Sequence, residues 1–282
     1  MIAALASALV LSSISGPAGP AVIRPVPCVA AILINAETGE VLHEQDADLS
    51  RGPASLVKMM VELIILEDVE AGRIALSDTV KASTHASTMG GSQVFLKEGE
   101  VQTVHALLQA AAIASANDAA VALAEHASGS EEKFVERMNA RAKQLGCSGT
   151  KFVNVHGLDL PRQGRAVTTA RDLTIIARAL IRHPLALEFA STWRAPFRDG
   201  EFWLDNTNKL LRKCDGLDGL KTGWTPRAGG CFCATASRDG VRLVSVVMGA
   251  PGGLGRFNVT KQLLDDGFSA VAPPSEPAAE TH

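Results

Sequence analysis

The 282-residue chain is predicted to be α+β: an antiparallel sheet formed by its N- and C-terminal strands and packed against a helical cluster. Three observations predict this. Alternating, β-rich runs occur at both ends; the stretch between them carries helical periodicity; and no Pro/Gly-rich linker or internal repeat divides residues 25–270.

In chain order, residues 29–45, "VAAILINAETGEVLHEQ", form two strands around a turn at Thr38-Gly39. Residues 54–71 form a helix that Gly72 terminates. It is apolar almost all the way round and therefore belongs in the centre of the molecule. Further helices cover 103–114, 117–127, 131–145 and 169–182, with Ser115-Ala116 separating the first two. Strands follow at 193–197, 201–205 and 218–224, then a hairpin over 231–249 around Asp239-Gly240, and a last helix over 256–268. The late strands are expected to join the first hairpin in one sheet.

Residues 1–24 begin with an apolar segment too short to span a bilayer, then small residues and prolines. This pattern predicts an export segment and a periplasmic or extracytoplasmic location, although no basic residue precedes Arg24. Residues 25–270 are the folded domain and 271–282 a polar, Pro-rich disordered tail, with no clear C-terminal membrane anchor.

A formal net charge of −3, with scattered basic residues, excludes a nucleic-acid partner on electrostatic grounds. The five cysteines, Cys28, Cys147, Cys214, Cys231 and Cys233, form no C-x-x-C and have no histidine at ligand spacing, so no metal or cofactor is expected. Cys231 and Cys233 alternate along one strand and are expected as buried thiols sharing a face. If the chain is exported a disulfide is open to them, with a pairing that sequence does not determine.

The chemistry starts at "RGPASLVKMM", residues 51–60. Ser55 and Lys58 lie one turn apart, so both fall on one helix face. Ser55 is close to the unpaired N–H groups of a helix start, which can hold a developing oxyanion. Lys58 sits among Leu56, Val57, Met59 and Met60, and burial there disfavours its ammonium. A neutral amine beside a hydroxyl is a general base. The competing reading is an N-capping serine followed by a snorkelling lysine. Ser130/Lys133 and Ser148/Lys151 repeat the spacing in polar settings, where lysine stays protonated.

Two later motifs favour catalysis. Ser115-Ala116-Asn117 stands at a helix junction, and Lys221-Thr222-Gly223 in a strand. S-x-x-K, S-x-N and K-T-G in this order are the motif set of class A β-lactamases and penicillin-binding proteins.

With these residues the chain resembles the serine-type D-alanyl-D-alanine carboxypeptidases, the low-molecular-mass penicillin-binding proteins. The likeness extends to "TMGGSQVFLKEGE" (88–100), "NVHGLD" (154–159), "TTARDL" (168–173), "NTNKLL" (206–211), "VVMGA" (246–250) and "RFNVTKQLL" (256–264), covering residues 28–268. The resemblance implies a β-lactamase/transpeptidase-like fold and a peptidase that removes the terminal D-alanine of peptidoglycan stem peptides. β-Lactams would be covalent inhibitors. Ser55 would be the nucleophile, Lys58 its base, Ser115 a proton relay to the leaving amine, and Asn117 a holder of both substrate amide and Lys58. Lys221, Thr222 and Arg256 would receive the terminal carboxylate. The N–H groups of Ser55 and Trp224 would form the oxyanion hole, with the peptide added along the Lys221–Thr225 edge past Gly223.

Ala116 stands where the family usually has glycine, and Trp224 where it has histidine or a smaller aromatic. A β-lactamase would share the acylation chemistry, but no glutamate between the second and third motifs begins an E-x-x-L-N loop, and a chain without tyrosine excludes the class C arrangement. A D-Ala cross-link endopeptidase would use the same residues, and a non-catalytic peptidoglycan binder would keep the same fold.

Overall fold

The computed structural model describes residues 23–159 and 164–271. Apart from residues 23, 24 and 271, the expected export segment and tail lie outside the described residues. The chain opens with strands β1 (Ala30–Asn35) and β2 (Val41–Gln45). A 3₁₀ turn (Ala54–Val57) runs directly into helix α1 (Lys58–Glu70). Next come β3 (Thr79–Lys81), the single-turn α2 (Thr84–Ser87) and β4 (Val101–Thr103). Helices α3 (Val104–Ile113), α4 (Asn117–Ser128), α5 (Glu131–Leu145), α6 (Ala170–Leu180) and α7 (Pro184–Ser191) make the middle of the chain. The hairpin β5 (Arg194–Phe197) and β6 (Phe202–Asp205) precedes β7 (Leu217–Thr225), β8 (Gly229–Arg238) and β9 (Val241–Ala250). Helix α8 (Gly255–Val271) follows.

The main sheet is antiparallel in the order β2-β1-β9-β8-β7, so the first hairpin and the last three strands share it as expected. Its two faces bury different layers, because side chains alternate along each strand. Ile32, Cys231 and Cys233 face the core that holds α1, whereas Leu33, Phe232 and Ala234 pack with Leu264 and Phe268 of α8. The two thiols therefore do share one buried face.

Helix α1 packs against α3, α4, α5 and α6, and nearly every residue from Lys58 to Leu66 is buried. A helix surrounded on all sides has no solvent face to keep polar, which accounts for its composition. Three of the helices around it, α3, α5 and α6, start at side-chain caps. Thr103 accepts from Ala106 N, Ser130 from Lys133 N and Thr169 from Asp172 N, each satisfying an orphan donor.

Two expectations need correction. The helix expected over 54–71 is two elements, a 3₁₀ turn and an α-helix, because Ala54 takes a left-handed φ of +48° that α geometry does not admit. The strands expected at 193–197 and 201–205 form a separate two-stranded sheet instead of joining the main one. They pair with each other and pack on α3, while β2 and β7 remain the edges of the large sheet. The elements β3, β4 and α2 are too short to show a period, and α7 follows α6 closely enough to hide in its pattern.

Candidate active site

Ser55 lies in the 3₁₀ turn and Lys58 at the first position of α1. In 3₁₀ geometry residues i and i+3 eclipse one another, which aligns the two side chains more closely than an α-turn would. Lys58 Nζ stands 3.2 Å from Ser55 Oγ. It also donates to Asn117 Oδ1 at 2.7 Å and to the His156 carbonyl at 3.0 Å. Lys58 is 0% exposed, and burial, followed by the neighbouring charge of Lys221, holds its amine well below the ordinary lysine range. The competing pairs are different: Lys133 and Lys151 are exposed, and Ser130 serves as the cap of α5.

Asn117 begins α4 and is fixed from three sides. Its Nδ2 donates to the Gly90 carbonyl at 2.7 Å, its backbone N–H donates to Ser92 O at 2.7 Å, and its Oδ1 receives Lys58. The neighbouring Asp118 carboxylate accepts from the N–H groups of Val94 and Leu96, tying the 90–96 loop to the same helix start. Ser115 is buried in the α3–α4 junction with a φ of +62°, a strained conformation for a residue with a Cβ. No hydrogen bond joins it to Ser55, Lys58 or Lys221 among the described residues. Asn117 thus contacts Lys58 directly, and Ser115 only shares its turn.

Strand β7 passes against the 3₁₀ turn. A Cβ on Gly223 would come within 3.0 Å of Ser55 N and 3.4 Å of Leu56 N, so only glycine lets the strand approach this close. Lys221 is buried, and among the described residues its Nζ reaches only the Thr222 carbonyl, at 3.5 Å. Burial lowers its ammonium to about 8, with Glu62 opposing the shift and Arg256 adding to it. Thr222 Oγ1 donates to Thr207 Oγ1 at 2.8 Å. Trp224 is 57% exposed. Arg256, in the first turn of α8, lies with its guanidinium 4.6 Å from the Phe257 ring centroid, and its buried Nε has no hydrogen-bond partner among the described residues.

Two contributors have no motif to announce them. The His156 carbonyl holds Lys58, and a backbone oxygen leaves no mark on residue identity. The nearest signal is Gly157, where a Cβ would collide with the Ala54 carbonyl at 1.9 Å. The His156 ring is buried, with Nδ1 accepting from Leu158 N at 3.1 Å and Nε2 facing Glu131 Oε1 at 3.7 Å. Burial and then Lys58 push it down to about 3, so it is neutral at physiological pH. The second is Glu62, a buried carboxyl on α1 one turn beyond Lys58.

A family model described as D-alanyl-D-alanine carboxypeptidase (peptidase S11) matches residues 21–252. The chain is 42% identical over 243 residues to the D-alanyl-D-alanine carboxypeptidase DacF of Bacillus subtilis, covering 85% of this chain and 62% of DacF. It is 39% identical to DacC of Escherichia coli, covering 85% of this chain and 60% of that protein. The chain therefore spans about three fifths of the length of these curated relatives. Among solved structures, ampicillin-bound penicillin-binding protein D2 of Listeria monocytogenes superposes with a TM-score of 0.80 at 36% identity, covering 86% of this chain and 98% of that one. A D-alanyl-D-alanine carboxypeptidase of Mycobacterium tuberculosis superposes with a TM-score of 0.82 at 32% identity, covering 92% and 97%. On this match of motifs and of a family model over most of its length, the protein belongs to the D-alanyl-D-alanine carboxypeptidase family of serine peptidases.

Proposed function

We propose that the chain is a serine D-Ala-D-Ala carboxypeptidase, with residues 25–270 as its catalytic domain, acting on peptidoglycan stem peptides outside the cytoplasmic membrane. The observation that carries this reading is the fully buried Lys58 amine, 3.2 Å from Ser55 Oγ and held by Asn117 at 2.7 Å. An amine kept neutral by burial and within reach of a hydroxyl can accept its proton.

Ser55 Oγ attacks the carbonyl of the penultimate D-alanine while its proton passes to Lys58. The oxyanion accepts from the backbone N–H groups of Ser55 and Trp224, on two segments that Gly223 lets approach closely. As the tetrahedral adduct collapses, the C–N bond breaks and the leaving amine takes a proton that Ser115 relays from Lys58. Water then adds to the acyl-enzyme, with Lys58 again as base, releasing the shortened peptide and regenerating Ser55. Lys221, Thr222 and Arg256 attract the terminal carboxylate, the arginine fork and the lysine charge suiting that group. The exposed peptide pairs with β7, which is an edge of the main sheet.

β-Lactams offer the same carbonyl, and ampicillin is bound in the Listeria relative. Among the described residues no helix is long and apolar enough to cross a membrane. Intact mass spectrometry after benzylpenicillin, with peptide mapping, tests the reading: one adduct at Ser55 and release of D-alanine from a stem pentapeptide are expected. Rapid nitrocefin turnover would mark a β-lactamase, cleavage confined to cross-linked peptides an endopeptidase, and no adduct on folded protein a binder.

A further inference from the structure

Glu62 is 6% exposed in the apolar first half of helix α1, and its Oε1 is buried without a hydrogen-bond partner among the described residues. A carboxyl so placed is disfavoured unless charge nearby compensates it. It follows Lys58 by one helical turn, on a helix that also packs on β7, the strand of Lys221. Lys221 is itself a buried cation whose Nζ makes a single 3.5 Å contact to a carbonyl among the described residues. Two buried, under-partnered groups of opposite charge thus stand on a helix and a strand that pack together, and each acts on the other's charge.

We propose that Glu62 is a positioning residue: seated one turn beyond Lys58 on the helix packed against β7, its carboxylate acts through Lys221, keeping that side chain an ammonium ready for the substrate's carboxylate. The inference rests on the carboxypeptidase reading.

The surrounding charges leave this assignment intact. Lys221 and then Lys58 are the groups that act on Glu62. Asp118 on α4 acts on Lys58, and Arg256 on Lys221. On α5, Arg137 and Arg141 are engaged at the far end of α1 by Asp68 and Glu67. On α6, Arg171 is held by Glu44 and Asp48, Arg178 by the Ala36 and Glu37 carbonyls, and Asp172 by Gly149 N and Thr150 Oγ1. On α3, His105 stacks on Phe189.

Burial pushes the Glu62 carboxyl up to about 7, so it is neutral in acid and ionised above neutrality. Its support for Lys221 is therefore an alkaline-side effect, and that direction makes the test specific. The rate of acylation by benzylpenicillin and of D-alanine release is measured against pH for the native protein, Glu62→Gln and Glu62→Met. In the variants the alkaline limb is expected to move down by about one pH unit, a loss of up to about tenfold on that limb. The acid limbs should coincide. An unmoved alkaline limb, or a uniform drop at every pH, overturns the proposal while leaving the enzyme reading standing. A native protein that shows no adduct at Ser55 overturns both. Should neither variant fold, ¹³C NMR of glutamate-labelled protein decides: the Glu62 carboxyl is expected to titrate higher in Lys221→Met than in the native protein, and a titration that does not move overturns the proposal.

Discussion

Lys58 Nζ lies closer to Asn117 Oδ1, at 2.7 Å, than to Ser55 Oγ, at 3.2 Å. The amine is thus held by a neutral amide and a carbonyl, with the hydroxyl as its third neighbour. Neither Asn117 nor the His156 carbonyl carries a charge that would favour the ammonium, so burial and then the charge of Lys221 outweigh the opposing carboxylates of Glu62 and Asp118.

Lys58→Ala should slow acylation by about 10²–10⁴-fold, the range for loss of a positioned base. Ser55→Ala should abolish the adduct and leave the fold unchanged. Stopped-flow acylation and circular dichroism read the two effects separately, and a change under about tenfold for Lys58→Ala would remove the lysine from the mechanism.

Asn117→Ala removes the amide that orients Lys58 and strips the Gly90 carbonyl of its donor. Slower acylation is expected together with a stability loss of about 1–3 kcal/mol from the stranded buried groups. Urea unfolding monitored beside the acylation assay would show both.

Gly223→Ala places a methyl 3.0 Å from Ser55 N, so strand and turn must part. A displacement of this kind costs about 10²-fold in rate when it falls on reacting groups. The loss should appear in acylation by penicillin and in peptide turnover alike, because both use the same oxyanion donors.

The activity profile should fall on the alkaline side through about 8, as the Lys221 ammonium loses its proton. The sign follows from its function: its protonated form attracts carboxylate, so activity is present below that pH and declines above it. On the acid side activity is lost as Lys58 gains a proton, at a pH well below the ordinary lysine range. Lys221→Arg should remove the alkaline limb, since a guanidinium remains charged. Initial rates of D-alanine release from about pH 5 to about pH 10 read both limbs.

Arg256→Ala should raise KM for peptides ending in a free carboxylate more than for amidated ones, with little change in melting temperature. Its guanidinium rests against Phe257 and its Nε is unpaired, so few structural contacts depend on it. Equal effects on both peptides would exclude it from carboxylate binding.

Local patterns were enough to read the strands near both termini, the buried central helix and the three catalytic motifs. Alternation along Cys231–Cys233 and burial around Lys58 each require only a few neighbouring side chains, and these properties are written in consecutive residues. The separate β5–β6 sheet was illegible because pairing partners lie outside the segment that forms each strand. The 3₁₀ turn was hidden for a related reason: Ala54 is left-handed and its carbonyl packs against Gly157, far along the chain.

Sequence by itself determined the family and most of the longer elements, and it singled out Ser55, Lys58, Ser115, Asn117 and Lys221 as candidates, because side-chain chemistry and spacing are local. Tertiary structure alone decided that a carbonyl from His156 and an amide from Asn117 meet on one amine. It also decided that Glu62 and Lys221 are both buried, on a helix and a strand that pack together. Those relationships depend on long-range packing, which excludes water and thereby sets the strength of every charge in the site.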